Sequence, residues 1–268
     1  MTDLLQGLLD DLAAEGDQLR TTVERLGPDG WTTPTPAPGW TVATQVAHLL
    51  WTDEVAVLAA HSHGSPEAKQ AWDEVVLAAI DDPTGYVDQG AFELAARPRD
   101  ELMARWSASR EGLRQALTEL PAGQKMPWFG PPMSAASMAT ARFMETWAHA
   151  LDVYDAAGQR PAPSDRIKHV AHLGVRTRNY AYWVHSEEPP ADEFRVELTA
   201  PSGALWGWGP EDAAQRVTGP AYDFCRLVTQ RVNRADTDLV AVGADAEHWL
   251  GIAQAFAGPS GPGRAATE

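Results

Sequence analysis

The chain has 268 residues, 44% of them hydrophobic and 22% charged, a balance typical of a globular protein and not of a disordered or fibrous one. Its 37 acidic and 21 basic residues give a formal net charge of −16, which would repel nucleic acid or an anionic membrane, so we expect neither as a partner. The single cysteine, Cys225, excludes an intramolecular disulfide and a thiolate metal cluster, so a metal would need histidine and carboxylate ligands.

The N-terminal segment predicts a helix and not a secretion signal. Apolar residues recur at three- and four-residue steps over 3–26, while acidic residues stand where a signal peptide needs a basic stretch and an unbroken apolar core. No apolar run in the sequence approaches the length that spans a membrane. We therefore expect a cytoplasmic protein.

Four long helices are predicted in the first 160 residues. Thr41 and Ser134 are suited to cap the N-termini of the second and fourth, and Gly158 stands where a left-handed residue ends a helix. Residues 66–91 predict one further helix and an acidic connector through 81–88. Long helices with polar connections favour a bundle. The four long helices are predicted over 3–26, 42–62, 98–119 and 135–157.

The remainder of the chain changes from a helical to an α+β pattern. A fifth helix is predicted first, and the segments that follow predict a hairpin, a helix, a strand and a last helix. These elements are predicted over 165–185, 194–209, 218–232, 238–243 and 246–256. We expect a helical domain over 1–185, a small second domain over 193–257 and a disordered tail over 258–268.

One pair of residues has the spacing of metal ligands. Glu145 and His149 stand four residues apart in a predicted helix, so their side chains leave the same face one turn apart. His48, among apolar residues of the second helix, can supply a third ligand from the bundle interior. Two imidazoles and a carboxylate suit Zn²⁺, Ni²⁺ or Fe²⁺ and leave positions open for water or substrate. Taken separately, the pair also fits a surface hydrogen bond, and His48 a hydrogen-bonded core histidine.

Two longer segments carry a family resemblance. PTPAPGWTVATQVAHLLWTDE and WFGPPMSAASMATARFMETWAHALDVYDAAG resemble the signature segments of the DinB-like metalloprotein superfamily, specifically its mycothiol-dependent maleylpyruvate isomerase branch. In the first, a Trp-Thr helix start leads into a histidine, and the second contains Glu-x-x-x-His-x-x-Asp. The resemblance implies a mainly α fold, an up-down four-helix bundle with a small C-terminal α/β domain, and His48, Glu145 and His149 as zinc ligands.

The segment YDFCRLVTQRVNRADTDLVAVG resembles the small C-terminal domain of the same branch. In that domain a helix ends in Gly-Arg, and the arginine faces the active-site cleft. Here the dipeptide is Gln230-Arg231, so the arginine is kept and the glycine is not. The resemblance implies that Arg231 grips a substrate carboxylate. The alternative is an exposed cation that the helix dipole favours.

Spacing suggests further groups around the metal. Asp152 follows His149 by three residues and can accept its imidazole N–H, and Arg142 precedes Glu145 by three and can hold its carboxylate or a substrate anion. Either can also be ordinary surface charge. Trp128 and Phe129, in the loop before the metal helix, are predicted to wall the cofactor pocket or to pack beneath it.

The resemblance implies an enzyme that uses a low-molecular-weight thiol such as mycothiol for isomerisation or thiol transfer on a small substrate, with an anion among the candidates. A zinc ion would acidify the bound thiol, and Arg142 or Arg231 would offset the acidic field. A metal-hydroxide hydrolase with Asp152 or Glu54 as base, or a metal-binding regulatory protein without catalysis, are the alternatives. We expect a monomer or a homodimer.

Overall fold

The computed structural model describes residues 2–83, 85–258 and 260–267. The chain divides into two compact units, Met1–Arg160 and Pro161–Glu268. The first unit is helical. Its helices are α1 (Thr2–Arg25), α2 (Pro28–Trp31), α3 (Val42–His61), α4 (Pro66–Asp81), α5 (Tyr86–Ala95), α6 (Arg99–Glu119) and α7 (Ala135–Ala156). Within the described residues, no helix is both long and apolar enough to cross a membrane.

The capping residues act as predicted in the two helices that carry the candidate ligands. The Thr41 side chain accepts a hydrogen bond from the backbone N–H of Thr44 at the start of α3. The Ser134 side chain does the same for Ser137 at the start of α7. Each cap satisfies an N–H group that has no partner inside its helix, which fixes the residue at which the helix begins.

Helices α1, α3, α6 and α7 form the four-helix bundle, so the mainly helical fold is confirmed. Side-chain contacts show that α3 runs antiparallel to α7 and that α6 runs antiparallel to α1. The first halves of α3 and α6 share one core cluster and their second halves share another, so these two helices are parallel and the directions in chain order are up, down, down, up, with α4 and α5 returning the chain between them. Large apolar side chains fill the centre, among them Leu9, Leu19, Leu49, Leu50, Leu102, Trp106, Leu113, Leu117 and Phe143.

Helix α5 was not predicted as a separate element. The acidic connector expected over 81–88 ends when α5 begins at Tyr86; residue 84 lies outside the described residues. Ala91 and Leu94 of α5 are buried, and Gly90 allows α5 to approach α3, because a Cβ atom there would come within 2.5 Å of the Trp51 side chain. Packing on α3 therefore defines this short helix.

The second unit combines helices with a four-stranded sheet. Its elements are a 3₁₀ turn (Asp165–Ile167), α8 (Lys168–Arg176), α9 (Arg178–Val184), β1 (Arg195–Thr199), β2 (Leu205–Trp208), β3 (Arg216–Pro220), α10 (Ala221–Val228), a second 3₁₀ turn (Arg234–Asp236), β4 (Val240–Val242) and α11 (Ala244–Ile252). The strand order is β2-β1-β3-β4. The β1–β2 hairpin pairs antiparallel as predicted, β1 and β3 are parallel, and β3 and β4 are antiparallel.

Three expectations drawn from the sequence differ from the observed structure of this unit. The contacts place the boundary after Arg160 and not after residue 185, because α8 packs on α10, with Gly174 against Phe224 and Val228. The helix expected over 218–232 begins later, since its first residues belong to β3. Residues of the expected disordered tail make hydrogen bonds, including one from Thr267 to Asp236; residues 259 and 268 lie outside the described residues.

Candidate metal centre

The antiparallel pairing of α3 and α7 brings the three predicted ligands together. Glu145 and His149 share one face of α7, and His48 faces them from α3. Glu145 Oε2 lies 3.4 Å from His48 Nε2 and 3.2 Å from His149 Nε2. The two imidazole ring centroids are 4.4 Å apart. Among the described residues, this is the group of histidine and acidic side chains with the geometry to hold a metal ion.

The donor set fits a divalent metal. One donor atom from each of the three side chains lies within 4.8 Å of the other two. Tetrahedral zinc with ligand bonds of about 2.0–2.1 Å places neighbouring ligand atoms about 3.3 Å apart, close to the two measured nitrogen–oxygen separations. Two imidazole nitrogens and one carboxylate oxygen suit Zn²⁺, Ni²⁺ or Fe²⁺.

The site is closed on the α3 side and more open on the α7 side. The His48 side chain is 9% exposed and that of Glu145 is 27% exposed. His149 lies between these values. An ion held by these residues would therefore keep coordination positions on the side of Glu145 that further ligands can reach.

The carboxylate of Glu145 is suited to the charged form that a metal ligand needs. Burial alone would raise the pKa of Glu145. The hydrogen bonds and positive charge of His149 and His48 outweigh burial and hold the pKa of Glu145 well below its ordinary value. The three side chains are thus arranged to concentrate a negative charge between two imidazole nitrogens.

Two residues at the centre were missed or misread in the sequence. Gln45 is fully buried, and its Oε1 lies within hydrogen-bond distance of His149 Nδ1. Trp40, for which core packing is the ordinary expectation of a tryptophan, stacks on the His149 ring with centroids 5.7 Å apart and contacts the half-exposed Phe92. The one signal for Gln45 was its position one turn before His48 on the same helix.

The comparisons with known proteins address the family. A family model described as the mycothiol maleylpyruvate isomerase N-terminal domain matches residues 12–154, more than half of the chain. The chain belongs to this family. The resemblance inferred from the two sequence segments is thereby confirmed. A second model, described as wyosine base formation, matches residues 190–242 in the second unit.

Relatives cover nearly the whole chain. Two uncharacterized proteins of Mycobacterium tuberculosis, MT0041 from strain CDC 1551 / Oshkosh and Rv0036c from strain ATCC 25618 / H37Rv, are each 56% identical over 254 residues, covering 95% of this chain and 96% of theirs. Crystal structures of the mycothiol-dependent maleylpyruvate isomerase and of its histidine-to-alanine mutant match with a TM-score of 0.57. They are 16% and 15% identical and cover 88% of this chain and 92% of theirs, which shows a shared fold.

Arg142 differs from its predicted role in this family member. It is 2% exposed, and its Nε donates to Asp53 Oδ1 at 3.0 Å while its second guanidinium nitrogen donates to the Leu49 carbonyl at 3.3 Å. Burial raises the pKa of Asp53, and Arg142 offsets this only in part. Arg142 therefore belongs to a buried ion pair that joins α7 to α3, and a substrate anion does not reach it.

Asp152 is also inside the bundle. It is 1% exposed, and Gln45 Nε2 lies 3.5 Å from its Oδ2. Since Gln45 Oε1 contacts His149 Nδ1, the amide of Gln45 links Asp152 to the imidazole that Asp152 was predicted to contact. A carboxylate so buried is poorly placed to touch a substrate.

Trp128 packs against the bundle core, whereas the neighbouring Phe129 is 44% exposed. Both rings lie against Trp72 of α4, with centroid distances of 6.1 and 5.5 Å. They precede the start of α7, whereas Glu145 lies ten residues into that helix, roughly 15 Å farther along its axis. These contacts support packing for Trp128, and a role of either ring at a cofactor pocket stays a prediction.

Arg231 lies in the second unit, just beyond α10. One of its guanidinium nitrogens donates to the Thr229 carbonyl at 2.6 Å. Gln230 before it has φ 59°, the left-handed conformation for which glycine is favoured. The helix-end geometry expected from Gly-Arg is therefore kept with glutamine at the first position. The role of Arg231 toward a substrate carboxylate stays a prediction.

Proposed function

We propose that this chain is a divalent-metal enzyme, with zinc as the preferred ion, that uses a low-molecular-weight thiol such as mycothiol in isomerisation or thiol transfer on a small molecule. The observation that carries the proposal is the set of three donor atoms, contributed by His48, Glu145 and His149, with a more exposed side at Glu145. Membership of the mycothiol maleylpyruvate isomerase N-terminal domain family supports the choice of thiol.

The metal, when bound, would lower the pKa of a thiol ligand so that the thiolate nucleophile is available at neutral pH. His48 and His149 would hold the ion through their Nε2 atoms, and Glu145 would supply one negative charge. The chain's own thiol is unsuited to this role. Cys225 belongs to the second unit, and burial raises its pKa well above its ordinary value.

The hydrolase alternative lacks a suitable base among the two candidates. Glu54 makes a two-point ion pair with Arg105, at 2.6 and 2.8 Å, and Asp152 is buried behind Gln45. A general base has to reach a water molecule next to the substrate. These contacts therefore favour a thiol, and not a metal-bound hydroxide, as the nucleophile at this site.

A cobalt-substituted protein tests the thiol step, because a thiolate ligand gives Co²⁺ a charge-transfer absorption that water and carboxylate ligands do not give. We expect mycothiol to produce this absorption at neutral pH in the wild-type protein and in Cys225→Ala. His149→Ala should not show it. Failure of every thiol tested to change the spectrum of a fully loaded protein would contradict thiol use while leaving metal binding intact.

A further inference from the structure

A buried amide lies directly behind one of the candidate metal ligands. Gln45 precedes His48 by one turn on α3, and its side chain is fully enclosed. Its Oε1 meets His149 Nδ1, and its Nε2 donates to Thr35 Oγ1 at 2.9 Å and lies 3.5 Å from Asp152 Oδ2. Both ends of the amide therefore have polar partners, and those partners determine which end is the oxygen and which is the NH₂ group.

The orientation of the amide follows from what each partner can do. Asp152 offers carboxylate oxygens, which accept hydrogen bonds. The Thr35 hydroxyl donates to the Trp40 carbonyl at 3.1 Å, so its proton is in use and its oxygen is left to accept. Both neighbours therefore require a donor, which places the NH₂ group of Gln45 toward them. The carbonyl oxygen must then face His149.

This orientation selects one tautomer of His149. A carbonyl oxygen accepts and cannot donate, so His149 must carry a proton on Nδ1, and with a metal at Nε2 this is the one proton of the imidazole. The Nε2 atom lies 3.2 Å from Glu145 Oε2, to which it donates when it is protonated in the metal-free protein, and a bound metal would take the place of that proton. A metal-binding histidine commonly has its ring orientation and tautomer fixed by such a bond at its other nitrogen.

Among the described residues, no side chain holds the second nitrogen of His48 in the way that Gln45 holds that of His149. Its Nδ1 atom is buried and makes no hydrogen bond there, although its Nε2 also points at Glu145 Oε2. The ring of His48 is instead held by packing, since it is 7% exposed and lies against Trp40 with ring centroids 5.4 Å apart. The two histidines are thus fixed in different ways.

We propose that Gln45 is a positioning residue for the metal centre: its amide, oriented by Asp152 and Thr35, holds His149 as the Nδ1–H tautomer with Nε2 free for a metal. The inference rests on the proposed metal site and assigns Gln45 no contact with substrate. It also gives Asp152 a role through Gln45, at the head of a chain of hydrogen bonds that ends on His149.

Two variants separate hydrogen bonding from packing. Gln45→Met keeps a side chain of similar length and removes the acceptor for His149. The double variant Gln45→Glu with Asp152→Asn exchanges donor and acceptor without changing the net charge, because the new amide at 152 can donate to the new carboxylate at 45. That carboxylate still accepts from His149 Nδ1, and the Thr35 hydroxyl can turn to donate to it.

Two measurements follow each variant. Long-range proton–nitrogen NMR spectra of the zinc-loaded protein report the tautomer of His149, and competition with a zinc chelator reports the affinity for zinc. For Gln45→Met we expect loss of the single Nδ1–H tautomer and a fall in zinc affinity of about 10- to 100-fold. The double variant should recover the tautomer and most of the affinity.

Gln254→Met is the matched control for removing a buried glutamine. Gln254 is 1% exposed in the second unit, and its Nε2 donates to the carbonyls of Phe256 and Gly258. This variant should leave zinc affinity and the His149 tautomer unchanged even where it lowers stability.

Unchanged zinc affinity and tautomer in Gln45→Met would overturn the proposal, as would a double variant that behaves like Gln45→Met. A wild-type protein that binds no zinc would contradict the proposed function separately. In that case, loss of the hydrogen-bonded Nδ1 proton of His149 in metal-free Gln45→Met would still support the positioning role of Gln45.

Discussion

At the scale of single residues, some contacts at the metal centre join residues close together in the sequence and others join residues far apart in it. Glu145 and His149 could be predicted together, because four-residue spacing on a helix is a local property. Gln45 could not, because its partner His149 lies 104 positions away and only the packing of α3 on α7 brings them together. For the same reason, Asp53 could not be predicted as the ion-pair partner of Arg142.

Trp40 supports one prediction at this scale. Its ring stacks on His149, and such an aromatic contact contributes about 0.5–1.5 kcal/mol, so Trp40→Leu should weaken zinc binding by roughly 2- to 10-fold. Phe92→Leu is the matched control, since Phe92 contacts Trp40 with ring centroids 6.3 Å apart. Chelator competition on the three proteins makes the comparison. Equal losses in both variants would show that the stacking on His149 is not the cause.

At the scale of secondary-structure elements, the ion pair between α3 and α7 is structural. Removing one member leaves a buried charge without its partner, so Arg142→Met should cost about 3–5 kcal/mol in the free energy of unfolding. Replacing both members, as Asp53→Leu with Arg142→Met, should recover most of this loss and retain metal binding. Urea denaturation and metal analysis check both. A double variant that is stable but binds no metal would contradict a purely structural role and would show that Arg142 or Asp53 is needed at the metal centre.

The contact between α5 and α3 gives a second prediction at this scale. A Cβ atom at Gly90 would come within 2.5 Å of the Trp51 side chain, so Gly90→Ala should destabilise the protein by about 1–3 kcal/mol. Gly7 on α1 has no atom within 4 Å of an added Cβ, so Gly7→Ala should stabilise by roughly 0.5–1 kcal/mol. Thermal unfolding of the two variants compares them. A stabilised Gly90→Ala would show that α5 does not pack closely on α3.

Elements were predictable where one local pattern decides the structure. The long amphipathic helices and the β1–β2 hairpin have clear periodicity and turn signals. Helix α5 and strand β3 are short, and each is defined by its partner: α5 by α3, and β3 by parallel pairing with β1. Val217 is the one buried residue of the five in β3, so no alternating pattern distinguishes this strand from the helix that follows.

At the scale of the whole molecule, the fold class could be predicted from the sequence and the division of the chain could not. The first unit ends at Arg160, although the helical pattern continues through α8 and α9. These helices belong with the second unit because they pack on its other helices: α8 on α10, with Gly174 against Phe224 and Val228, and α9 on α11. A helix carries no sign in its own sequence of which neighbour will cover its apolar face.

The central claim is that α3 and α7 together hold one metal ion. Elemental analysis of the full chain, reconstituted with zinc and dialysed, tests it most directly, with His48→Ala, Glu145→Ala, His149→Ala and the control His169→Ala alongside. We predict about one equivalent of zinc in the wild type and in His169→Ala and a strong loss in the three ligand variants. A wild-type protein without metal, or stoichiometric zinc in any of the three ligand variants, would contradict the account.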